Sequence, residues 1–64
     1  MQSANKVVAR KKNYRAIAQV AELRNVDPFS VTELDLAFNN FDSAAGLAPF
    51  LNLRTLILDH NNFT

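Results

Sequence analysis

Cysteine is absent from the 64-residue chain. No disulfide framework or thiolate zinc site can form, and without the usual staples of a small secreted domain the expected setting is reducing, intracellular and cytoplasmic. Glycine occurs once, at Gly46, which excludes a glycine-rich phosphate loop. The single histidine, His60, has neither a second histidine nor a cysteine to share a metal with. Asp59 adjoins it and Asp35 is expected on the neighbouring strand, but consecutive strand residues face opposite ways, and no motif places a nucleophile nearby. The chain therefore reads as a non-enzyme, with no catalytic residue, no metal ligand and no cofactor. The apolar runs before Lys11 are too short for a signal peptide, and no stretch approaches the roughly 20 residues of a membrane-spanning helix.

Charge is not scarce, but it is segregated. Residues 1–26 carry six cations against Glu22 alone, a net +5, whereas residues 27–64 carry Arg54 against five acids, a net −4. Such asymmetry raises a nucleic acid or anionic surface as a partner for the first part.

The second half repeats itself. Val31-x-x-Leu34-x-Leu36-x-x-Asn39-Asn40-Phe41 is followed by Leu53-x-x-Leu56-x-Leu58-x-x-Asn61-Asn62-Phe63, every matching pair 22 positions apart. Self-similarity at that period signals stacked supersecondary units. Both copies fit L-x-x-L-x-L-x-x-N-x-F, with Val31 standing in for the first leucine, so the segment resembles the leucine-rich repeat family, in its short 22-residue intracellular class. The run from Gly46 to Asn61 looks most like that of small cytoplasmic leucine-rich adaptor proteins. The resemblance implies an α/β fold, a leucine-rich repeat solenoid fragment with an N-terminal capping helix and two parallel strand-turn repeats. It also implies a non-enzymatic protein-binding role, with the concave strand face as the docking surface.

In chain order, residues 1–12 read as a basic N-terminal segment with a flexible end over Met1–Asn5. Residues 13–30 read as the capping helix and a turn. Asn13 is the expected N-cap, Ile17, Val20 and Ala21 form an apolar stripe at i, i+3, i+4, Asn25 suits a left-handed position, and Asp27-Pro28 ends the helix. Residues 31–64 hold the two repeats. Val31, Leu34, Leu36 and Phe41 should point inward, and Ala44, Leu47 and Phe50 should line a return of 3₁₀ turns or a short helix. Leu56, Leu58 and Phe63 would then lie on an open end, so the expectation is a fragment, or a chain completed by a partner.

The strand pattern sets the candidate residues. Glu33, Asp35, Ala37, Phe38, Thr55, Ile57, Asp59 and His60 would form the concave protein-binding face, with Phe38 near His60 and Ile57 an apolar anchor among charges. Asn39 and Asn61 read as structural, their amides bonding backbone of the turn and of the adjacent repeat. Arg10, Lys11, Lys12 and Arg15 could contact phosphates, with Tyr14 stacking on a base, although on a helical wheel these cations scatter without a single face. Two other readings follow from these features: a nucleic-acid-associated protein using this basic segment, and a structural subunit of a large assembly capped by another chain. Asn62-Phe63-Thr64 matches the glycosylation sequon, which the cysteine-free composition argues against using.

Overall fold

A computed structural model of the chain describes residues 5–63. The flexible end expected over Met1–Asn5 falls mainly outside those residues, as does Thr64 of the sequon. Three strands, β1 (Lys6–Val8), β2 (Glu33–Asp35) and β3 (Thr55–Ile57), form one parallel sheet in the order β1-β2-β3. Val7 lies opposite Leu34, and Leu34 opposite Leu56. Parallel neighbours need a crossover between them, and here 3₁₀ turns supply it, at Ile17–Gln19, Ala21–Leu23 and Pro28–Ser30.

The expected α/β architecture is overturned in two respects. The sheet has three strands, because the segment read only as a basic end contributes β1. No α-helix caps it, because residues 13–30 hold only separate three-residue 3₁₀ turns. The two-repeat solenoid fragment with its capping helix thus gives way to a small three-stranded parallel sheet joined by turns.

The helix fails for a reason written in the side chains. Ile17, Val20, Leu23 and Val26 recur every third residue, the 3₁₀ period rather than the α period, and all four belong to or pack against the core. Their amides follow suit: Val20 N donates to Ile17 O, Leu23 N to Val20 O and Val26 N to Leu23 O, at 3.0, 3.1 and 3.3 Å. Val20 itself is extended at φ −72°, ψ 104°, and separates the first two turns. The Gln19 carboxamide oxygen accepts from Arg15 N and Ala16 N at 2.7 and 3.2 Å. A helix of about ten residues is marginal in water without strong packing, so these local bonds decide the outcome. Asn13, expected to cap a helix, is left-handed at φ 58° and accepts from Asn40 Nδ2 at 2.8 Å.

The second return obeys the same rule 27 residues later. Leu47 N bonds Ala44 O, Phe50 N bonds Leu47 O and Leu53 N bonds Phe50 O, at 3.3, 3.0 and 3.3 Å. Leu47, Phe50 and Leu53 pack on the core, whereas Ala44 is exposed. The first unit is longer because of the Asp27–Val31 turn, where Asp27 caps Phe29 N at 2.9 Å and Pro28 pre-sets the first turn dihedral.

The core centres on β2: Val31, Leu34 and Leu36 are 0 % exposed and Phe41 1 %, joined by Val7, Ala9 and Val20. At the β3 end it thins, with Leu56 38 % and Phe63 40 % exposed. Among the described residues no helix is long and apolar enough to cross a membrane.

Gly46 locks one return onto the other. Its φ is +93°, and an added Cβ would sit 2.9 Å from Ile17 Cβ. Gly46→Ala meets both a strained dihedral and a clash, and should destabilise folding by about 1–3 kcal/mol. Urea denaturation followed by circular dichroism measures it, and unchanged stability would show that the two returns do not pack this closely.

Candidate functional site

The solvent-facing side of the sheet ends in a turn that the chain makes three times with one backbone geometry. Lys11, Phe38 and His60, which occupy equivalent places after β1, β2 and β3, have φ of 58°, 59° and 60°. None is glycine, so each is strained by about 1 kcal/mol or more, Phe38 most conspicuously as a bulky residue. The turns stack through the backbone, Lys11 N donating to Ala37 O at 3.3 Å and Phe38 N to Asp59 O at 2.9 Å.

Side chains stack with them. The Phe38 and His60 rings lie parallel, 8° apart in plane with centroids at 4.3 Å. The Arg10 guanidinium and the Lys11 ammonium each stand 5.5 Å from the Phe38 centroid, within cation–π reach. Phe38 remains 39 % exposed, so the stack is a surface feature.

A charged rim adjoins the stack. Lys6 pairs with Glu33, its register partner, at 3.3 Å, and Arg10, just past β1, reaches Asp35 at 3.4 Å. Asp35 is 8 % exposed and also accepts from Ala37 N at 3.1 Å. Ile57 lies beside Asp35 on β3, partly exposed, with Thr55, Asp59 and His60 exposed near it. Ala37, expected on this face, is 0 % exposed. Its methyl group is covered and offers a partner nothing.

Of the basic group, Arg10 and Lys12 are engaged by acids, Lys12 meeting Glu22 at 3.8 Å. Arg15 is exposed but lies in the return, beyond the strand row. Tyr14 is held: its hydroxyl donates to Glu22 Oε1 at 2.8 Å and accepts from Ala21 N at 3.3 Å.

Beneath the row, two asparagine amides hold the turns together. Asn39, 6 % exposed, accepts at Oδ1 from Lys12 N and Tyr14 N at 3.0 and 3.1 Å. Its Nδ2 donates to Ala9 O at 2.7 Å and to Leu36 O at 2.9 Å. Asn61 repeats the arrangement one unit later, accepting from Phe41 N at 2.9 Å and donating to Leu36 O and Leu58 O at 3.0 Å. A second, exposed ladder runs outside it, Asn62 to Asn40 at 3.2 Å and Asn40 to Asn13 at 2.8 Å. At the opposite end of the strands an open cleft of about 440 Å³ is lined by Phe29, Ser30, Leu51 and Arg54 among others.

Sequence reasoning passed over Lys6 and gave Arg10 and Lys11 to phosphate, where the structure sets Lys6 in β1 and the other two just after it. The signal was a 27-residue offset: Val7-x-Ala9-x-x-Lys12-x-Tyr14 matches Leu34-x-Leu36-x-x-Asn39-x-Phe41, with lysine where asparagine would have advertised the unit. Among the described residues no group of three His, Cys, Asp or Glu side chains could hold a metal ion.

The Glu22 carboxyl titrates below the usual carboxylate range, first because the Tyr14 hydroxyl bonds it, then through its own backbone amide and, opposed by burial, the Lys12 ammonium. A pKa depressed by folding stabilises the fold above the unfolded value of about 4.3, and that contribution disappears as pH falls through the folded value. Tyr14→Phe should therefore raise the Glu22 pKa toward the ordinary range and cost stability at pH 6 more than at pH 3. Titration of the Glu22 side-chain carbon by NMR checks it; an unmoved pKa would contradict the Tyr14 bond. In comparisons with family models, curated proteins and solved structures, nothing matches this chain.

Proposed function

We propose that the chain is a non-enzymatic protein-binding module whose docking surface is the solvent-facing strand row around Phe38 and His60. One observation carries the reading: two parallel aromatic rings stand exposed at the end of the sheet with their backbones locked in the left-handed turn. Pre-ordered aromatic side chains lose little entropy on binding, and an aromatic centre inside a charged rim is the composition of an interaction hot spot. Glu33, Asp35 and Asp59 with Lys6 and Arg10 supply the rim, and Ile57 the aliphatic contact. The resemblance of residues 31–63 to leucine-rich repeats, whose strand faces bind proteins, supports the same surface.

The phosphate-binding reading is weaker on this geometry. Lys6, Arg10 and Lys12 are each matched by a carboxylate within 3.3–3.8 Å, so much of the positive charge of the first 26 residues is neutralised before any polyanion arrives.

A peptide-display selection on the immobilised chain tests the proposal. Selected peptides should perturb NMR signals of residues 33–38 and 55–60, and Phe38→Ala, an exposed position, should weaken them about tenfold or more while the circular dichroism spectrum is kept. Ligands that map to Arg10–Arg15 and weaken steeply with salt would instead support the nucleic-acid reading.

A further inference from the structure

The two edges of the sheet are not alike, and they are complementary. On β2, Leu36 N and Phe38 N reach across to Ile57 O and Asp59 O, at 2.8 and 2.9 Å. The equivalent amides after β3, Leu58 N and His60 N, have no partner among the described residues. Carried one strand further in the same register, they would meet the carbonyls at the places of Val8 and Arg10, since Ala9 N and Lys11 N already bond Asp35 O and Ala37 O inside the chain. Arg10 O accepts no hydrogen bond among the described residues.

We propose that the chain associates with copies of itself head to tail, the β1 edge of one copy adding in parallel to the β3 edge of the next. Side chains as well as backbone favour this occupant. The register sets Val8, 47 % exposed, beside Ile57. It sets Arg10 beside Asp59, which has no ion-pair partner among the described residues. It also places Lys11 at the His60 ring as Lys11 already stands at Phe38, 5.5 Å from its centroid. Charge selects the polarity: pairing two β1 edges opposes Lys6, Arg10 and Lys11 to the same cations, whereas head-to-tail pairing sets Lys6 beside Thr55, Arg10 beside Asp59 and Lys11 against the His60 ring. Leu56 and Phe63, 38 % and 40 % exposed, lie at the end that the next copy covers. A contact between two different edges is not self-complementary, so each added copy leaves an edge for the next and the oligomers grow with concentration.

Sedimentation equilibrium of the full chain over a range of concentrations, with amide exchange by NMR at the low and high ends, tests this. The expected result is a mass that rises with concentration while the amides of Leu58 and His60 become protected. Asp59→Lys should weaken the association about tenfold, Arg10→Asp similarly, and the chain carrying both should recover it, because the pair is restored with its charges exchanged. Arg10 also bonds Asp35, so circular dichroism first establishes that its variant is folded. If it is not, Ile57→Lys, which alters only the β3 edge, takes its place and should abolish the rise in mass. A chain that stays monomeric at millimolar concentration overturns the proposal. So does association that is indifferent to Asp59→Lys, or that protects β3 amides while leaving the β1 signals unperturbed.

Discussion

The carboxamide of Asn39 is the interaction on which the rest of the molecule rests. Three short strands cannot order a 64-residue chain by their ladders alone, and the turns after them carry backbone groups that a buried setting must satisfy. Asn39 meets that demand from one side chain, accepting from Lys12 N and Tyr14 N and donating to Ala9 O and Leu36 O. In doing so it fixes the turn after β1 to the turn after β2, and Asn61 fixes the next to that. The left-handed backbones of Lys11, Phe38 and His60 lie inside these tied turns. Their strain persists because the surrounding bonds over-determine them, and the aromatic stack is the visible consequence.

The returns are governed by a second constraint, the spacing of their apolar side chains. At three residues per turn, one face of a 3₁₀ segment buries every third residue. Ile17, Val20, Leu23 and Val26 pack on the core in this way, Val20 fully and the others partly buried, and Leu47, Phe50 and Leu53 do so in the second return. Val20 alone, at 2 % exposure, is worth roughly 1.5–3 kcal/mol of transfer free energy. Burial falls away toward β3, so the core is tight beneath β1 and β2 and thin beneath β3.

Much of the middle unit was legible in the residues. Leu34 and Leu36 point inward because alternation on a one-sided strand leaves them no other place, Val31 and Phe41, outside the strand, follow the repeat pattern inward, and the proximity of Phe38 to His60 follows from the 22-residue register. What was illegible has physical causes. β1 hides in a basic run because Val7 and Ala9 are small, because Lys12 stands at the asparagine position, and because the Asp27–Val31 turn shifts its offset to 27. The helix read from Asn13 to about Leu23 came from good helix formers and an i, i+3, i+4 stripe, but Ala21 of that stripe is exposed and the set that packs on the core keeps a period of three. Ala37 was placed on the outward face from alternation alone, which says nothing of side-chain reach.

Amide hydrogen exchange at Lys12 and Tyr14 tests most directly whether one asparagine side chain organises the turns. Both amides belong to an irregular basic stretch that would otherwise exchange at loop rates, and both donate to Asn39 Oδ1. The account expects them to be protected as strongly as the ladder amide of Leu36, and to lose protection together when the chain unfolds. Rapid exchange at Lys12 and Tyr14 beside a protected Leu36 would contradict it, leaving the sheet to stand on its strand ladders and core alone.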